Sequence, residues 1–339
     1  MQWDKIQIRT ENGEEVDAQA PIIISASRST DIPAFYSDWF LHRLKEGYVK
    51  WINPFNRVPL YVSFKKTRLV VFWSKNPNPI IKHLDVIKGI IPNFYFQFTL
   101  NDYDAEKLEP NVPDIQSRIE TFIQLSEKIG KEKIIWRFDP LILTDKIGVD
   151  DLLRKTEFIG DQLKAYTDKL VFSFVDIKNY RKVQNNLKNS SIRYNEFNER
   201  TMNEFAQGLK ELNKKWNFDL GTCAEKIPLE KYGINHNKCI DDDLIVNLFS
   251  EDRTLMDFLG IKIATPDIFN PTSRIEKTKK LKDKGQRELC GCIFSKDIGE
   301  YNTCPHMCEY CYANTSKEMA LKNWKQHKVN PNCEMIKGE

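Results

Sequence analysis

Six short apolar runs, with amphipathic stretches between most of them, leave this chain few folds to adopt. The runs are Pro21–Ser27 (PIIISAS), Arg68–Ser74 (RLVVFWS), Asn93–Leu100 (NFYFQFTL), Lys133–Asp139 (KIIWRFD), Lys169–Asp176 (KLVFSFVD) and Phe218–Glu225 (FDLGTCAE). Each is rich in β-branched or aromatic residues and lacks polar alternation, the pattern of strands buried on both faces. Ala34–Gly47, Asp114–Ile129, Asp150–Tyr166 and Glu196–Trp216 carry apolar residues at helical spacing. Strands alternating with helices predict βαβ units and a parallel sheet, hence an α/β fold in which six units make either an open doubly wound sheet or a barrel. A hairpin is expected over residues 1–20, where Asn12-Gly13 supplies the turn.

The polar residues of these runs gather at their carboxyl ends, the edge where parallel α/β folds bind ligands. Arg28 and Asp31 follow the first run, and Lys75 and Asn76 the second. Arg137 and Asp139 end the fourth, and Glu225 ends the sixth. Singly, each also reads as a cap or turn residue, as Asp31 before Ile32-Pro33 does. Together they predict a shared pocket.

The net charge of +3 over 339 residues makes no general case for a nucleic-acid surface. No apolar run is long enough to span a bilayer and no signal peptide opens the chain, so a cytoplasmic protein without a membrane partner is expected. In that compartment the eight cysteines are not a disulfide framework. None precedes Cys223, and six lie at or after Cys290, which divides the chain into an apolar scaffold and a metal-binding region.

Cys304-Pro-His-Met-Cys308-Glu-Tyr-Cys311 has C-x₃-C-x₂-C spacing. Thiolates suit iron–sulfur clusters and zinc alike. Three of them hold three irons of a cubane and leave the fourth iron open. Structural zinc closes a tetrahedron, for which His306 is the available fourth ligand. The unequal gaps differ from the paired C-x₂-C spacing of a zinc ribbon. Cys223, Cys239, Cys290 and Cys292 form a second set, with Cys290-Gly291-Cys292 as a compact pair. They read as an auxiliary [4Fe–4S] cluster, a structural zinc site or buried free thiols.

The three-cysteine run, followed by Tyr312-Ala313-Asn314, resembles the signature of the radical S-adenosylmethionine (SAM) superfamily. CEYCYAN is closest to the branch that includes spore photoproduct lyase. The wider pattern also resembles an uncharacterised bacterial domain-of-unknown-function family, through ISASRSTDIPAFYSDWF, FWSKNP, FQFTL, WRFDP, TCAE, QRELCGC and DIGEYNTCPHMCEYCYAN. The superfamily resemblance implies a partial TIM-like (β/α) barrel of six or seven strands. It implies a [4Fe–4S] cluster on Cys304, Cys308 and Cys311 that cleaves SAM reductively, with flavodoxin or ferredoxin as reductant. Arg28, Asp31, Lys75, Asn76, Arg137, Asp139, Glu225, Tyr310 and Tyr312 are then the candidate cofactor contacts. The substrate class, whether small molecule, peptide or nucleic acid, stays open.

In the superfamily the cysteine loop follows the first barrel strand, whereas here it follows every predicted core strand. A circular permutation accounts for this, with the helix Ser316–His327 closing the sheet beside Pro21–Ser27. The expected divisions are the hairpin at 1–20, a barrel core at 21–226, a cysteine-containing insertion at 227–303, and the cluster loop with its helix at 304–339. Two rivals remain: an iron–sulfur redox or regulatory protein that does not cleave SAM, and a zinc-binding nucleic-acid module.

Overall fold

The computed structural model of the protein describes residues 2–264 and 274–338; residues 265–273, inside the expected 227–303 insertion, lie outside the described residues. Eight strands form the main sheet: β1 Ile23–Ala26, β2 Leu69–Ser74, β3 Asn93–Thr99, β4 Ile134–Leu141, β5 Lys169–Phe174, β6 Asp219–Thr222, β7 Ile234–His236 and β8 Lys296–Asp297. Their spatial order is β7-β6-β5-β4-β3-β2-β1-β8, and every neighbouring pair is parallel. The six apolar runs supply β1 to β6 in sequence order.

The expected barrel of six or seven strands differs from this sheet in two ways. Two further strands are present, and the sheet stays open, with β7 and β8 as its edges. The physical reason lies in what covers each face. Alternate strand residues point to opposite sides. Ile24, Phe72, Phe96, Trp136 and Phe172 pack against the apolar stripes of α1 Ser37–Glu46, α2 Ile115–Ile129, α3 Val149–Leu163 and α4 Glu199–Asn213. On the other face, Ile23, Val71, Tyr95, Ile135 and Val171 pack against Ile240, α5 Asp242–Phe249, α6 Arg253–Leu259, Leu281 and Ile293. Ile240, α5, α6, Leu281 and Ile293 thus occupy the side that the strands of a closed barrel would line themselves.

Aromatic pairs consolidate the helical side. The Phe72 and Phe96 rings stack at 4.8 Å and those of Phe98 and Phe122 at 5.1 Å, each pair adding about 0.5–1.5 kcal/mol beyond its buried area.

Lys5–Arg9 and Glu15–Gln19 pair antiparallel. Glu15–Gln19 pairs in parallel with Pro59–Ser63, which pairs antiparallel with Tyr48–Ile52, so the N-terminal hairpin is built onto the excursion between β1 and β2. After β8 the chain runs through the cysteine loop into α7 Lys317–Val329, whose first turn is capped by Ser316. The Trp324 ring of α7 packs edge-on against Phe35 and Tyr36, the segment that leaves β1. Among the described residues, no helix is long and apolar enough to cross a membrane.

Candidate metal centre

The cysteine loop owes its position to Asp297, the last residue of β8. The register sets Asp297 beside Ser25 of β1. Its Oδ2 accepts hydrogen bonds from Ser25 Oγ and the Arg28 backbone N–H, both at 2.8 Å. Its Oδ1 accepts from Ser27 Oγ at 2.8 Å, Ser29 Oγ at 3.2 Å and the Gly299 N–H at 3.0 Å. Five donors on one carboxylate lock a two-residue strand that pairing alone would hold weakly.

The carboxyl ends of the strands then grip the loop. Asp31 accepts from His306 Nε2 at 2.8 Å, from Ser74 Oγ and the Lys75 N–H at 2.7 Å each, and from the Ala34 N–H at 3.0 Å. It caps the short helix Ile32–Phe35 and ties the loop to β1 and β2 at once. The Tyr310 hydroxyl donates to Glu109 and accepts from Lys75 Nζ at 2.9 Å and Asn101 Nδ2 at 3.0 Å. The Lys75 ammonium also donates to Glu109 at 2.7 Å, and the fully buried Arg118 reaches Glu109 at 3.5 Å. Burial would depress Lys75 and raise Glu109; their mutual attraction, with Cys308 near Lys75 and Arg118 near Glu109, reverses both. Tyr312 donates from its hydroxyl to the Arg28 carbonyl at 2.7 Å and leaves its ring half exposed. Asn314 donates to the Cys304 carbonyl at 2.8 Å and, from its backbone, to Cys311 Sγ at 3.4 Å.

Burial pushes the Cys304 thiol up to about 12, with Asp31 and Cys311 adding to the shift. Burial also raises Cys308, well above the ordinary range, and Cys311. Such thiols ionise when a cation binds them. Among the described residues, only Asp241, Asp242 and Asp243 bring three ligand atoms of His, Cys, Asp or Glu all within 4.8 Å of one another. Neither the loop thiols with His306 nor the second cysteine set is gathered that tightly. The aspartate trio is paired with Lys238 and Lys277.

The second set of cysteines converges on the sheet face opposite the helical layer. Cys223 follows β6 and Cys239 follows β7, and their Sγ atoms are 3.1 Å apart. The Cys239 and Ile240 N–H groups donate to Cys292 Sγ at 3.2 and 3.5 Å. Tyr95 and Gln97 of β3 both donate to the Cys239 carbonyl at 2.8 Å and fix it over the sheet. Arg137 Nη1 donates to Cys239 Sγ at 3.1 Å and to Gln97 at 3.1 Å, while Nη2 reaches Cys223 Sγ at 3.5 Å. Sharing with Cys239 and the charge of Arg137 outweigh burial and bring Cys223 down to about 6, while Cys239 is pushed up by the same sharing.

The remaining sequence candidates fall into place around these two groups. Asp139 accepts from Arg137 and from Ser173, so it orients the guanidinium. Glu225 accepts from the Phe174 N–H at 3.1 Å, and burial raises it to about 7. Asn76 takes a turn position, its N–H on Ser74 Oγ at 3.0 Å. Glu109, Asn101 and Asp297 do comparable work and carry no sequence signal beyond being lone polar residues. No curated protein and no solved structure matches the chain. One family model matches residues 23–313, from the first sheet strand to the end of the cysteine loop, and the chain belongs to that family, Domain of unknown function (DUF1848).

Proposed function

We propose that this protein is a radical SAM enzyme whose [4Fe–4S] cluster is held by Cys304, Cys308 and Cys311. One observation carries the reading: three thiols, Cys308 buried and Cys304 and Cys311 partly buried, share a loop that leaves a strand of a parallel sheet at its carboxyl edge, while His306 is committed to Asp31. Held by these thiolates, a reduced cluster would supply the electron for reductive cleavage of SAM into methionine and a 5′-deoxyadenosyl group.

The chain's own residues hold and shield that chemistry. Asp31, Lys75, Asn101 and Glu109 fix the loop from the strand ends. Thr30 Oγ1 and Asn314 Oδ1 are buried beside it without a hydrogen-bond partner among the described residues, polar capacity suited to a cofactor. The half-exposed Tyr312 ring, with Tyr180 6.3 Å away, offers an aromatic surface for adenine. The unit of β8, loop and α7 beside β1 suits a permuted superfamily arrangement. On this reading the sheet is the open counterpart of the family's partial barrel, and a flavodoxin or ferredoxin delivers the electron.

The test is anaerobic. Protein reconstituted with iron and sulfide, given dithionite and SAM, should release 5′-deoxyadenosine, and Cys308→Ala should fall to the protein-free level. A fully loaded wild-type protein that releases none sinks the proposal and leaves an electron-transfer or regulatory protein.

A further inference from the structure

Cys223, Cys239, Cys290 and Cys292 arrive from three separated stretches of chain, yet they meet in one place. Cys223 and Cys239 are 3.1 Å apart at sulfur, Cys292 Sγ takes the Cys239 N–H at 3.2 Å, and Cys290 is two residues from Cys292. All four are free thiols. A hydrophobic core accommodates single cysteines as small apolar residues, but gathering four gains nothing from that role.

Their surroundings are those of an anion. Arg137 donates to two of the sulfurs, at 3.1 and 3.5 Å, and Asn237 Nδ2 approaches the same two at 3.4 and 3.5 Å. A second guanidinium, Arg28, lies 5.3 Å from the Trp73 ring against which Arg137 also rests at 5.4 Å. Cys292 and Cys239 are among the groups whose charge Arg28 senses. Arg28 Nη2, Asn237 Oδ1 and Trp73 Nε1 are all buried with no hydrogen-bond partner among the described residues. Of these, the Arg28 and Trp73 nitrogens are donors, which neutral thiols leave unsatisfied and thiolates would accept from. Four thiolates around a metal dication, or around a [4Fe–4S]²⁺ core, carry a net charge of about −2. Two guanidiniums balance that charge.

We infer that Cys223, Cys239, Cys290 and Cys292 form a second, tetrathiolate metal centre that takes a soft cation, either the iron of an iron–sulfur cluster or a single zinc. Binding forms a metal–sulfur bond at each cysteine and releases the thiol protons to solvent. Cys290 is only partly buried and gives the site its route of entry. Arg28 joins this centre to the other cysteine loop, because its carbonyl accepts from Tyr312 at 2.7 Å while its guanidinium packs on Trp73, the ring that Arg137 also meets. The inference does not depend on SAM cleavage, since the two sites share no cysteine.

The test removes the first site from the full chain with Cys304→Ser, Cys308→Ser and Cys311→Ser together. Iron, zinc and acid-labile sulfide are then measured after anaerobic reconstitution and desalting. About four irons with equal sulfide and a dithionite-bleachable colour, or about one zinc without colour, support the centre and name its metal. Adding Cys290→Ser, the change that disturbs the core least, should weaken metal retention against a chelator at least about tenfold. Circular dichroism of each variant separates metal loss from unfolding. Three results overturn the inference. One is a folded triple variant holding under about a tenth of an equivalent of either metal. The second is retention unchanged by both Cys290→Ser and Cys239→Ser. The third is a Cys223–Cys239 disulfide in place of bound metal.

Discussion

His306 donates from Nε2 to Asp31 at 2.8 Å across 275 positions of sequence, and both side chains are almost entirely buried. The cysteine loop is therefore keyed to the end of the first sheet strand. Asp31→Asn separates the two tasks of this carboxylate, since asparagine caps a helix as well as aspartate does but brings no charge to His306. The variant should keep its far-ultraviolet circular dichroism and retain iron on the three-cysteine loop about tenfold less tightly, measured by chelator competition.

Glu109 is fully buried between Lys75 and Arg118 and is held below the ordinary carboxylate range because their attraction outweighs its burial. Glu109→Gln leaves the Lys75 ammonium without its carboxylate and Arg118 with Asp104 alone, and should cost about 3–5 kcal/mol in urea unfolding. The sign with pH follows from the lowered value. The stabilisation is present above the ordinary 4.5 of a glutamate and is lost as pH falls through the folded value, so the wild-type advantage over Glu109→Gln should shrink on acidification.

Glu225 behaves in the opposite sense. Burial raises it to about 7, so the folded chain binds a proton that the unfolded chain releases near 4.5. Stability from this group is full below 4.5 and declines as pH rises through about 7. Glu225→Gln should flatten that part of the stability–pH curve, removing up to about 3 kcal/mol of variation between pH 5 and 8 in paired denaturation curves.

Gly299 sits where a methyl group has no room. A Cβ built there would lie 1.9 Å from Ser27 Oγ and 2.7 Å from Ser29 Oγ, two of the hydroxyls that bind Asp297. Gly299→Ala should destabilise the protein by about 1–3 kcal/mol and lower iron occupancy of the neighbouring loop, read by thermal unfolding and iron analysis of the same sample.

The apolar runs made β1 to β6 readable in the sequence, since a strand buried on both faces needs β-branched and aromatic residues at every position. Ile234–His236 and Lys296–Asp297 were unreadable because three and two residues form no pattern; the contacts that hold them come from distant residues. The pattern left an open sheet and a barrel both available, because the choice rests on what covers the second face, through contacts such as those of Tyr95 and Gln97 with the Cys239 carbonyl. The cysteines of both sites stood out by type and spacing, and the structure gathers the second set. Their supports did not stand out. Asp31 was visible as a cap and as a candidate ligand contact, but its bond to His306 has no local trace. Glu109, Asp297 and Asn237 are single polar residues whose importance lies wholly in what folds against them.

The pairing of β8 with β1 also fixes an order of events during synthesis. Until Lys296 and Asp297 leave the ribosome, the outer edge of Ile23–Ala26 lacks the partner it has in the finished sheet, and Ser25, Ser27 and Ser29 lack the carboxylate they share. The three loop cysteines emerge only after that seam can form. On the proposed function, metal loading at this loop would be a late step of biogenesis, since a chain interrupted before residue 296 has neither the seam nor the three cysteines.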